Sequence, residues 1–89
     1  MSSVLPLRFT LLKILYKENK ALDPFELHEM IKNTYPNEKQ ATASAIDEHF
    51  MSMKGVGLVE VDNAYEKNNE IISRYKITDF GKERVKQYF

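Results

Sequence analysis

The sequence contains no cysteine and no tryptophan, only three glycines and three prolines, and no excess of charge of either sign. Without cysteine there is no disulfide and no thiolate metal site, so packing must supply the stability, and the composition fits a reducing compartment. No Pro- or Gly-rich linker, repeat or low-complexity segment divides the chain, and residues 1–89 read as a single domain. No apolar run approaches the ~18 residues of a membrane span. The opening Met-Ser-Ser-Val-Leu-Pro-Leu-Arg also has no basic segment ahead of an uninterrupted apolar stretch. These features predict a soluble, cytoplasmic protein with no membrane partner. With 13 Lys and Arg against 13 Asp and Glu, overall charge selects neither nucleic acid nor lipid.

What is present is an ordinary globular composition, 43% hydrophobic and 29% charged, in a chain of 89 residues. Such a chain can bury one modest core and has little room for a catalytic cleft. Over 5–17, Leu5, Leu7, Phe9, Leu11, Leu12, Ile14, Leu15 and Tyr16 fall on nearly every side of a helical wheel. A helix apolar all round needs more than one covering surface, and a second copy of the chain would supply it. Asp23-Pro24-Phe25-Glu26 announces a second helix: Asp as N-cap, Pro at the first helical position, and Glu three residues on to close a capping box. Its expected core face is Leu27, Met30, Ile31 and Thr34, with Pro36 as its stop.

A third helix is expected from Asn37 or Glu38 to about Lys54, with Ile46, Phe50 and Met53 as its apolar stripe, ended by Gly55 and Gly57. Leu58 to Asp62 alternates as a strand and Ile71 to Ile77 is rich in β-formers, so the pair predicts a hairpin with Asn63 to Glu70 as a long polar tip. Ala21-Leu22 is short enough to add only a brief further strand. Thr78 is placed to cap a last helix with Val85, Tyr88 and Phe89 on one side. The fold class read from this order is α+β: three helices, a β-hairpin, and a C-terminal helix.

The run Ile46, Phe50, Met53, Gly57, Leu58 resembles the winged-helix pattern in which three apolar helix positions precede a Gly-Leu entering the first wing strand. Tyr75-Lys76-Ile77-Thr78-Asp79-Phe80-Gly81 is similar to the run that ends the wing in MarR-like and PadR-like transcriptional regulators. The compact chain with a flanking helix at each end also looks like small regulators of archaea and their viruses. The resemblance implies a winged helix-turn-helix that binds double-stranded DNA as a homodimer through its first and last helices. It further implies a third helix in the major groove and a wing on the backbone.

If Ile46, Phe50 and Met53 face the core, then Gln40, Ala41, Ser44, Asp47, Glu48 and Met51 face outward. Gln40 and Ser44 suit base edges, and Asp47 can accept from cytosine. Lys39 and Thr42 lie near the helix start, where they can touch phosphate or cap. Lys67, Asn68, Asn69 and Arg74 belong to the wing and its expected backbone contacts. Residues 37–78 nonetheless carry more carboxylates than cations, which favours an alternative reading as a winged-helix protein-interaction module. A small-molecule-responsive regulator would need a pocket between helices, and the residues reveal none.

Nothing predicts an enzyme or a cofactor. His28 and His49 have no paired ligand spacing, and His28-Glu29 has no second histidine four residues on, so no metal site is expected. Ser44, Ser52 and Ser73 have no histidine at a defensible placement.

Overall fold

The computed structural model describes residues 6–35 and 42–88. Its described residues form an α+β fold in the order α1 (Leu7–Glu18), α2 (Pro24–Ile31), α3 (Ala43–Gly55), β1 (Val59–Lys67), β2 (Glu70–Ile77) and α4 (Asp79–Tyr88). No helix among them is long and apolar enough to cross a membrane.

Pro6 is the N-cap of α1, and Asn19 ends it in the left-handed conformation, donating its N–H to the Leu15 carbonyl. Leu7, Leu11, Leu12 and Leu15 are buried within one chain, and Ile14 and Tyr16 pack partly against the same core. Most of the apolar girdle thought to need a second copy is therefore covered within the chain, with α4 and β2 among the elements that pack on α1. Phe9 remains 49% exposed.

The capping box of α2 forms as its residues dictate: Asp23 Oδ1 accepts from Glu26 N at 2.9 Å, and Glu26 Oε1 accepts from Asp23 N at 3.0 Å. The helix ends at Ile31, where the chain turns and the N–H groups of Thr34 and Tyr35 both donate to the Ile31 carbonyl. The expected core face is corrected accordingly. Pro24, Leu27 and Ile31 are buried, while Met30 is 46% exposed and Thr34 lies beyond the helix on the surface. Pro36 and the expected start of the third helix at Asn37 or Glu38 lie outside the described residues. Within α3, Ile46, Phe50 and Met53 are buried as their spacing requires.

The hairpin differs most from expectation. The segment read as a long polar tip is strand, and the connection is the two-residue turn Asn68-Asn69, whose φ values are 52° and 65°. Two consecutive left-handed residues define the type I′ turn that suits the twist of a hairpin, and Asn tolerates that conformation better than most residues. β1 and β2 pair antiparallel, with a bulge between Val61 and Asn63. The extra residue, Asp62, switches which alternate residues of β1 lie on each face of the hairpin. Val59 and Val61 oppose Ile77 and Tyr75, whereas beyond the bulge Asn63 and Tyr65 share the opposite face with Arg74 and Ile72. Ala21-Leu22 forms no strand. It contributes one bridge, in which Leu22 and Tyr75 exchange backbone hydrogen bonds of 2.9 and 2.8 Å.

Thr78 caps α4 through the N–H of Gly81 at 2.9 Å, and its hydroxyl also lies 2.6 Å from the Gly57 carbonyl. Gly81 and Val85 are buried against the core. Tyr88, expected beside Val85, is 68% exposed, and Phe89 is outside the described residues.

Candidate nucleic-acid interface

Thr42 sits at the N-cap of α3, where its hydroxyl accepts from Ala45 N at 3.2 Å. Ser44, Glu48 and Met51 are exposed along the outward side of the helix, opposite the buried stripe. Lys39 and Gln40, the expected phosphate and adenine contacts, fall outside the described residues. Asp47, expected to point outward, is half-buried: its Oδ1 accepts from the Tyr75 hydroxyl at 2.8 Å, tying α3 to β2. The Tyr75 ring stacks on Phe50 with centroids 4.9 Å apart, so Asp47 holds the tyrosine by its hydroxyl and Phe50 by its ring face.

Burial, helped by the Asp47 carboxylate beside it, pushes the Tyr75 phenol up to about 12. The folded state thus favours the neutral phenol. Its contribution is complete below the ordinary tyrosine value near 10 and is lost as pH rises through 12. We expect unfolding free energy to fall between about pH 10 and 12, by on the order of 1–2 kcal/mol from this group. Tyr75→Phe should flatten most of that decline in urea titrations across the alkaline range; an unchanged decline would show that another group drives it.

The wing is held against the start of α2. Asp23, only 3% exposed, accepts at Oδ2 from the Tyr65 hydroxyl at 2.7 Å and from Arg74 at 3.4 Å. Arg74 also meets Glu26 Oε1 at 2.9 Å and the Ala21 carbonyl at 3.3 Å. The Asp23 carboxylate raises the Tyr65 phenol above its ordinary value by accepting its proton in a hydrogen bond. Arg74, expected at the DNA backbone, is placed instead as a strut between β2 and α2. Lys67 stands 4.8 Å over the Phe25 ring next to the Asn68-Asn69 turn, and these three residues are exposed at the far end of the hairpin.

Between α2, α3 and β2 lies a groove of about 340 Å³ whose walls include Phe25, Ser44, Asp47, Glu48, Glu70 and Ile71. Phe25 and Ile71 are 42% and 71% exposed. Neither these apolar residues nor Tyr65 was foreseen as part of this face. Tyr65 lay in a segment read as loop, and only the capping-box carboxylates hinted that a cation would dock at α2. Among the described residues no cluster of His, Asp or Glu is placed to hold a metal. Compared with known protein families, curated proteins and solved structures, the chain finds no match in any of the three.

Proposed function

We propose that this chain is a winged helix-turn-helix regulator that binds double-stranded DNA as a homodimer. The observation carrying this reading is that Ser44, Glu48 and Met51 on α3 are open to solvent beside a hairpin that reaches past the core with Lys67 at its end. In this arrangement α3 enters the major groove, where Ser44 and Gln40 meet base edges. Lys67, Asn68 and Asn69 rest on phosphates, joined by Lys39 and the N-terminus of α3 at Thr42. The same-face stripe Phe80, Arg84 and Tyr88 supplies the dimer seam: Arg84 lies 5.5 and 5.4 Å from the two exposed rings. Two-fold pairing then sets the third helices about 34 Å apart.

The supply of cations is small, with Lys39 and Lys67 from each protomer. Binding should therefore lose affinity with salt at a slope of only about −4 on logarithmic axes. Lys67→Ala is expected to reduce that slope by about 2 per dimer and weaken all sequences alike, whereas Gln40→Ala relaxes preference at one base pair. Fluorescence anisotropy over a salt series measures both. The carboxylates of Asp47, Glu48 and Glu70 along the groove favour a second reading, a protein-interaction module. Absence of duplex binding at low salt would select that reading.

A further inference from the structure

The balanced charge conceals a division. Residues 7–20 and α4 together hold seven Lys and Arg against three Asp and Glu, whereas residues 21–78 hold six against ten. On the positive side, a cleft of about 340 Å³ runs between α1 and α4, lined by Lys13, Tyr16, Lys17, Val85 and Lys86. We propose that this cleft docks an acidic amphipathic helix of a protein partner.

Tyr16 and the buried Val85 give the cleft an apolar floor. Lys13 and Lys17, one turn apart on α1, form one wall, and Lys86 stands on the other. Lys86 faces Glu83 at 3.9 Å, a long and exposed pair that a closer carboxylate can displace. A helix with a leucine pair at i and i+4 would set one of them against the open part of Tyr16, and its flanking glutamates would meet the three lysines. A duplex backbone gains nothing from an apolar floor recessed between helices. A second copy placed symmetrically over the cleft would set lysine against lysine. The cleft is also separate from the dimer seam: by the helical repeat, Lys82 and Lys86 flank the buried Gly81 and Val85 on the side opposite Phe80, Arg84 and Tyr88.

The test is an NMR titration of the ¹⁵N-labelled chain with a synthetic peptide of about three Leu/Glu heptads, and with its Leu/Lys counterpart. We expect saturable shifts at Lys13, Tyr16, Lys17, Val85 and Lys86 with the Leu/Glu peptide alone. Combining Lys13→Glu, Lys17→Glu and Lys86→Glu should weaken binding about tenfold or more while leaving duplex affinity in place. If that variant melts early, the matching Lys→Gln set serves in its stead, with a smaller loss expected. No saturable binding, shifts at other residues, or a variant that binds the peptide as tightly as the parent overturns the proposal. So does a DNA duplex or a phosphatidylserine vesicle that moves the same five residues and is not displaced by the peptide.

Discussion

Gly81→Ala is expected to lower the unfolding free energy by about 3 kcal/mol and the melting temperature by about 12–24 °C. Gly81 lies in the first turn of α4, where the helix crosses the start of β1. A Cβ there would overlap the Leu58 carbonyl oxygen and lie 2.7 Å from Ile77 Cγ1. The oxygen belongs to the backbone and already accepts from Thr78 N at 3.1 Å, so no rotamer change relieves the overlap. The helix must move away, and with it go the Thr78 contacts to Gly57 and Leu58 and part of the cover over Ile77 and Val85. The intrinsic preference of alanine for helix, about 1 kcal/mol, is too small to compensate. Gly55→Ala is the control. Nothing lies within 4 Å of its would-be Cβ, so that variant should melt at or slightly above the parent. Urea and thermal melts of both variants decide the point; a Gly81→Ala protein melting within about 2 °C of the parent would mean that α4 does not approach β1 this closely.

The contrast between these glycines shows where sequence reasoning reaches and where it stops. The capping box at Asp23 and Glu26, the buried stripe of α3 and the Thr78 cap were readable because each depends on residues within a turn or two of one another. The Tyr75-to-Gly81 run was recognised as a pattern without its cause. The structure supplies the cause: Tyr75 reaches Asp47, Thr78 caps, and Gly81 permits the crossing. The hairpin was misread for a physical reason. Asn63 to Lys67 are all exposed, so no buried face imprints alternation on their sequence, and the turn residues Asn68-Asn69 became merely part of a polar stretch. Asp47 looked outward because a wheel places Cβ atoms and cannot know that a tyrosine from β2 draws the carboxylate back. The open side of α3 followed from local period alone. Which charges stand free beside it did not, because the bulge at Asp62 and the docking at α2 assign them.

Arg74→Ala separates these two kinds of knowledge. As a wing residue read from sequence, Arg74 would touch phosphate, and its loss would reduce the salt slope by about 2 per dimer with little effect on stability. In the structure its guanidinium, 30% exposed, lies against Asp23, Glu26 and the Ala21 carbonyl. Removing it leaves the Asp23 carboxylate buried with only Tyr65 and the Glu26 N–H for partners. The lost pairing should destabilise the fold by about 2 kcal/mol, below the usual figure for a fully buried pair because water reaches the guanidinium. A fall in melting temperature of about 8–16 °C is the expected result. For molecules that remain folded, the salt slope of duplex binding should be unchanged. Arg74→Lys should recover part of the stability, since an ammonium is a point charge and cannot fork between Asp23 and Glu26. The opposite outcome, an unaltered melt with a shallower slope, would detach Arg74 from α2 and return it to the DNA. The outer half of the hairpin would then be held at α2 by the Tyr65–Asp23 hydrogen bond and the Lys67–Phe25 contact, with no guanidinium strut between them.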